Sequence, residues 1–294
     1  MLTVREGFGK FLIAKRADGV KKSTVKWYAQ RIERFLDRCA DEDVKSITID
    51  DLREYSVFIQ DEELSEHYKF QIIRVVRTYF KWLFEERWID EALHKRLKLP
   101  KLPQPVPKAI SMNDVKLLLG TCNGKVDGIR DRTVMLFLLD TGCRVGGMCK
   151  SLFENLDLEN MRTVVFEKGD RGRIVLFEDP TARAIEEWLK IRPYPENEFL
   201  FTSIRADLPM NSNSVIQMLR RRAKLAGVEG RVNPHAFRHA FARETILNGG
   251  DLATVSQMMG HSTIMTTKAY YAVFTMDELH HKHRSYSPVS KLLT

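Results

Sequence analysis

The chain has 294 residues, 44% of them hydrophobic and 29% charged, which excludes a disordered chain and leaves room for two hydrophobic cores. Forty-seven Lys and Arg against 39 Asp and Glu give a formal charge of +8. That excess favours a polyanionic partner without separating a nucleic acid from an anionic membrane surface. Cys39, Cys122, Cys143 and Cys149 form no CxxC pair and no zinc-spaced cluster with histidine, as in a reduced, cytosolic protein. The apolar patch near the N-terminus is too short and interrupted for a signal peptide or membrane span, and no later stretch is long enough to cross a bilayer. The expectation is a cytoplasmic protein with no membrane partner.

In chain order, the first patterned elements are helical. Residues 23–36 place Val25, Tyr28, Ile32 and Leu36 on one stripe, with Ser23 or Thr24 as N-cap and Lys26, Arg31 and Arg34 on the opposite face. Residues 49–59 give a second helix, with Asp50 or Asp51 as cap. Residues 65–86 give a third, lined by Tyr68, Ile72, Val75, Tyr79 and Leu83. Together they predict a small helical bundle spanning residues 1–99. Four prolines, Pro100, Pro103, Pro105 and Pro107, then predict an extended interdomain linker over residues 100–110. Up to residue 103 there are 21 Lys and Arg against 18 Asp and Glu, and beyond it 26 against 21, so both parts are mildly basic.

Residues 111–294 read as a second domain. Residues 111–119 predict a short capped helix, and residues 130–150 an apolar helix that ends near Thr141-Gly142 and turns into another. Within residues 155–180 the period changes to alternation. TVVFE and RIVLF, joined by Lys-Gly-Asp-Arg-Gly, predict a β-hairpin. Helices resume at about residues 181–189, 213–225 and 234–247. The fold class is therefore mainly α with a small antiparallel β-sheet. Regular βα alternation, GxGxxG and Walker A motifs are all absent.

Phosphate chemistry needs cations aimed at non-bridging oxygens, an in-line nucleophile and a proton donor for the leaving oxygen. Arg144 follows a helix–turn break. His235 and Arg238 stand three apart and share one helical face, with His239 on a different azimuth. Lys168 lies at the hairpin turn. His261 opens a turn, and Tyr270 and Tyr271 follow it. Each has an ordinary reading: a helix-end arginine, a salt bridge, a solvated turn lysine, a packed tyrosine.

Taken in order, these settings resemble those of the tyrosine recombinase, or phage integrase, family, and especially its compact two-domain members such as bacterial chromosome-dimer resolvases. The matching segments are Thr141-Gly142-x-Arg144, the hairpin Lys168 to Val175, His235-x-x-Arg238, and Gly260-His261-Ser262 leading to Tyr270. The resemblance implies a SAM-like core-binding domain and a mixed α/β catalytic domain. It implies Arg144 and Arg238 on the scissile phosphate, Lys168 as general acid, His235 assisting proton transfer, His261 on a phosphate oxygen and Tyr270 as nucleophile. Tyr271 falls to packing or support. The implied reaction passes through a 3′-phosphotyrosyl intermediate and a Holliday junction, without cofactor or metal. The implied partners are double-stranded DNA carrying specific recombination sites, three further copies in a homo-tetramer, and an accessory or directionality protein. A type IB topoisomerase-like relaxase and a noncatalytic DNA-binding protein are the competing expectations.

Two segments stand apart. The family often carries an acidic residue three places after its first arginine, where this chain has Gly147; Asp140 or Glu154 are candidates to replace it. His280, His281 and His283 read as a chance cluster or a basic patch facing phosphate rather than a metal site. Val273, Phe274, Met276 and Leu279 fit the segment that family members donate to a neighbouring protomer.

Overall fold

The computed structural model describes residues 1–102, 109–166, 172–230 and 232–260, together with Met276 and His283. The chain divides into two compact units, Met1–Gln104 and Pro105–Thr294, and the division falls inside the Pro-rich stretch.

The N-terminal unit holds α1 (Val4–Ala17), α2 (Lys22–Cys39), α3 (Ile49–Asp61), α4 (Glu66–Glu85) and the single turn α5 (Leu93–Arg96). The sequence reading contained no helix at α1. Two glycines, Gly7 and Gly9, obscure its apolar spacing of Val4, Phe8 and Phe11, all of which are buried. A capping box starts it: Thr3 Oγ1 accepts from the Glu6 amide at 3.2 Å, and Glu6 Oε2 accepts from the Thr3 amide at 3.0 Å. Gly7 is there because α4 comes close. A Cβ at residue 7 would lie 2.4 Å from the Tyr79 hydroxyl, which instead donates to the Val4 carbonyl at 2.9 Å. The fully buried Tyr79 ring meets Phe8 edge-on at 5.4 Å and Phe80 at 5.4 Å.

Two caps differ from expectation. α2 begins at Lys22 without a side-chain cap, so Ser23 and Thr24 lie within its first turn. α3 is capped by Thr48, with Asp51 as the reciprocal third residue rather than the cap itself. The Thr48 hydroxyl takes the Asp51 amide at 3.3 Å while the Asp51 carboxylate takes the Thr48 amide at 2.7 Å. Ser65 caps α4, its hydroxyl accepting from the Tyr68 amide at 3.3 Å.

The second unit contains α6 (Met112–Gly120), α7 (Val126–Thr141), α8 (Val145–Met148), β1 (Arg162–Phe166), β2 (Gly172–Leu176), α9 (Asp179–Ile191), α10 (Ser212–Ala226), α11 (Pro234–Leu247) and α12 (Leu252–Met259). α7 is its centre. It is buried around its circumference, at Ile129, Thr133, Val134, Met135, Phe137, Leu138 and Thr141, with α9 and α11 against it. It starts four residues before the expected Arg130, because its first turns bury an ionic cluster instead of an apolar stripe. Asp131, fully buried, accepts from Arg130 Nη2 at 2.6 Å, Arg221 Nη2 at 2.6 Å and Arg222 Nε at 2.9 Å, which fastens α10 to α7.

β1 and β2 form an antiparallel ladder, with Thr163 opposite Val175 and Val165 opposite Arg173. The hairpin, α9, α10 and α11 all fall where the sequence puts them within two residues, and the bounds of α11 coincide. α12 was not anticipated. Among the described residues no helix is long and apolar enough to cross a membrane.

Candidate active site

The site is built at three helix ends and one strand. α7 stops at Gly142, whose φ of 56° is left-handed, a conformation glycine adopts without a Cβ penalty. A Cβ there would also stand 2.2 Å from Cδ1 of Phe241 on α11, so the glycine is needed both for backbone and for packing. Thr141 locks the turn: its hydroxyl donates to the Phe137 carbonyl at 2.7 Å and accepts from the Cys143 amide at 3.3 Å. The chain then re-enters helix at α8 with Arg144 as its N-cap residue, exposed to solvent.

α11 begins with Asn233 as cap and Pro234 at its first position, a combination that fixes the helix start. His235 follows in the first turn and is exposed. One turn later Arg238 is buried, with 3% of its surface accessible. Its Nη1 donates to the Gly142 carbonyl at 2.5 Å and its Nη2 to the Met259 carbonyl at 2.8 Å. One guanidinium thus joins the turn two residues before Arg144 to the helix end two residues before His261.

α12 ends at Gly260, again left-handed, with φ of 65°. Arg173 of β2 donates to the Met258 carbonyl next to it. The last two carbonyls of α12 therefore each receive an arginine from a different element, in the arrangement that a helix C-terminus favours electrostatically. α8 packs on the other strand, where a Cβ at Gly147 would lie 3.3 Å from the Phe166 carbonyl.

Of the six residues expected from sequence, Arg144, His235 and Arg238 are described, and their elements converge through Arg238. Lys168, His261 and Tyr270 lie outside the described residues, as does Tyr271. Among the described residues, Gly147 comes close to the Phe166 carbonyl and Gly260 to the Arg173 side chain. Asp140 does not take the place of the carboxylate missing at Gly147. Its Oδ2 accepts from the Glu178 amide at 2.8 Å and from Thr181 Oγ1 at 2.7 Å, tying it to the start of α9. Burial pushes the Cys149 thiol at the end of α8 up to about 12, which keeps it protonated and non-nucleophilic at neutral pH. Among the described residues no group of three His, Cys, Asp or Glu could hold a metal; His280 and His281 fall outside them.

Arg173 lies within the hairpin, where the sequence pattern assigns it no role. The signal was available in the alternation of the strand, which places it on the inward face.

The phage integrase family profile matches residues 108–276, more than half of the chain, and the N-terminal SAM-like domain of phage integrases matches residues 8–90. The chain belongs to the phage integrase family. It is a tyrosine recombinase, an enzyme of site-specific DNA recombination. The tyrosine recombinase XerD of Staphylococcus aureus is 27% identical over 279 residues, covering 92% of this chain and 94% of that protein. The tyrosine recombinase XerC of Alcanivorax borkumensis is 27% identical over 231 residues, 76% of this chain and 75% of its own length. Among solved structures, the XerA recombinase is 26% identical and covers 96% of this chain and 98% of its own, with a TM-score of 0.56. The recombinase therefore resembles chromosome-dimer resolvases along nearly its whole length, and it carries the mostly helical fold with a small antiparallel hairpin.

Proposed function

We propose that this recombinase cleaves and rejoins double-stranded DNA at defined sites with Tyr270 as its nucleophile. The tyrosine oxygen attacks the scissile phosphorus and forms a 3′-phosphotyrosyl bond as the bond to the 5′-oxygen breaks. Arg144 and Arg238 stabilise the charge on the non-bridging oxygens, where paired guanidiniums act most strongly in a site screened from water. Lys168 gives a proton to the departing 5′-oxygen. His235 assists proton transfer to and from the tyrosine, and His261 hydrogen-bonds a phosphate oxygen. Attack by the 5′-hydroxyl of a second duplex reverses the chemistry and passes the strands through a Holliday junction. Because the phosphotyrosyl bond conserves the energy of the broken phosphodiester, the cycle consumes neither ATP nor metal.

The observation that supports this reading is the pair of bonds from Arg238 to Gly142 and Met259, which joins the turn before Arg144, the HxxR helix and the end of α12 around one buried cation. The partner is duplex DNA, held mainly through phosphates, so that affinity falls with salt. Four protomers act together, and an accessory or directionality protein governs the outcome. The protein works in the cytoplasm, on DNA.

The test is covalent capture on a suicide duplex followed by mapping of the modified residue. Tyr270→Phe is expected to abolish the 3′ adduct while retaining DNA binding. An adduct that survives Tyr270→Phe and disappears in Tyr271→Phe overturns the assignment.

A further inference from the structure

Charge is unevenly spread over the helices of the N-terminal unit. Residues 41–66, which include α3, hold ten acidic side chains against Lys45 and Arg53. Residues 21–38, which take in α2 up to Arg38, hold six basic side chains against Glu33 and Asp37. Residues 67–82 of α4 hold four basic side chains and no acid. α2 and α4 pack on each other. The positive charge of the unit is therefore concentrated on this helix pair, while the α3 side repels a phosphate backbone.

The three arginines of α2 are held in different ways. Arg34 forms an ion pair with Glu62, which neutralises it. Arg38 lies over the Phe58 ring at 4.6 Å and, among the described residues, its side chain makes no hydrogen bond. Arg31, half-buried, is clamped. Its guanidinium lies 5.4 Å from the centre of the Trp27 ring and 5.1 Å from that of Tyr68, one ring from each helix. Nε and Nη2 both donate to Gln71 Oε1 on α4, at 3.2 and 3.1 Å. Nη1 reaches only Gln30 Oε1, in a long, exposed contact of 3.4 Å.

Every one of these partners is neutral, so the Arg31 guanidinium keeps its full charge. The rings and Gln71 remove in advance the rotamer freedom that a long side chain otherwise loses on binding. The packing of α2 on α4 does not depend on this clamp, because buried pairs such as Phe35 and Phe80, edge-on at 5.9 Å, already supply it.

We infer that Arg31 is a specificity-determining residue that reads a guanine in the major groove of the target duplex, its Nη1 and Nη2 donating to O6 and N7. The inference rests on the reading that this recombinase acts at defined sites. A phosphate contact asks only for charge, which the exposed Lys22 and Lys26 supply. Guanine presents two acceptors side by side, and a planar fork held at a fixed angle meets both.

Sites are selected from random duplexes with the full-length protein, in parallel for wild type, Arg31→Ala and Arg31→Lys. Wild type is expected to return a motif with a guanine at one position where both variants become indifferent, the rest of the motif being unchanged. Duplexes that differ only at that base pair give the magnitude. Wild type is expected to prefer guanine about ten- to a hundredfold, and Arg31→Lys less than about threefold. Because lysine keeps the charge, the salt dependence of Arg31→Lys should stay that of wild type. Arg31→Lys alone carries the comparison if the alanine variant does not fold.

An unchanged motif in the variants overturns the inference. So does a loss of affinity shared by all sequences, which is the mark of a phosphate contact or of a loosened α2–α4 seam. A wild type that selects no motif overturns the reading of defined sites instead, and the guanine contact falls with it.

Discussion

The Arg238 guanidinium donates to the Gly142 carbonyl across 96 residues of chain, at 2.5 Å. A charged donor on a buried backbone acceptor is among the stronger neutral-to-ion hydrogen bonds, worth about 1.5–3 kcal/mol. It holds the end of α7 against α11 at the point where the chain turns toward Arg144. The arginine proposed to meet the scissile phosphate is thereby also the one that holds the turn before Arg144.

Gly142→Ala tests that turn. A Cβ meets both a left-handed backbone and the Phe241 ring, so the substitution is expected to cost about 2–4 kcal/mol. Thermal melting of the purified variant should show the loss, and covalent adduct formation should fall with it because Arg144 is displaced. A variant as stable as wild type would mean that Phe241 moves aside freely.

Asp131→Ala leaves Arg130, Arg221 and Arg222 facing one another around a position that was fully buried. Breaking such a cluster from the acidic side is expected to destabilise the second unit by about 3–5 kcal/mol. Urea unfolding followed by the fluorescence of the buried Trp188, in a background with Trp27, Trp82 and Trp88 replaced by Phe, reads that unit. Asp131→Asn, which keeps an acceptor, should cost less.

The capping box at α3 predicts a pH effect. The side-chain bond from Thr48, followed by its backbone amide, holds the Asp51 carboxyl below its ordinary value of 3.8. Because the folded value is the lower one, the stabilisation is complete above the unfolded value and is lost as pH falls through the folded one. Asp51→Asn removes this charge and keeps an acceptor. The melting temperatures of wild type and variant should differ at neutral pH and converge below about pH 4. A constant difference across that range would show that the charge is immaterial.

Much of the fold was legible from pattern. The stripes of α4 and the alternation in β1 and β2 follow directly from the burial of one face, and α11 carries a proline and an asparagine that mark its start. α1 was not legible, because Gly7 and Gly9 read as helix breakers until Tyr79 is seen above Gly7. α12 was hidden for a related reason. It has eight residues, and beyond its Asp251 cap its hold comes from arginines on other elements, which no local pattern contains.

The site divides in the same way. Arg144, His235 and Arg238 were nominated by motif, and the fold joins their elements. Arg173 sat within a quoted motif without a role, since a strand arginine becomes informative only when its face and its distant carbonyl are known. Gly147 was read as a missing carboxylate. Its lack of a side chain also lets α8 approach the Phe166 carbonyl, a relationship that no local pattern contains.

Among the described residues, the buried clusters of the two units share none: one draws on Val4 through Leu97, the others on Ile110 through Met259. Mutational drift is therefore compartmentalised. A residue that erodes the packing around Tyr79 leaves the surroundings of Phe137 intact, and the reverse holds equally. Each half can diverge at its own pace, and a lineage can remodel the N-terminal helices extensively while the scaffold beneath Arg238 stays under separate selection.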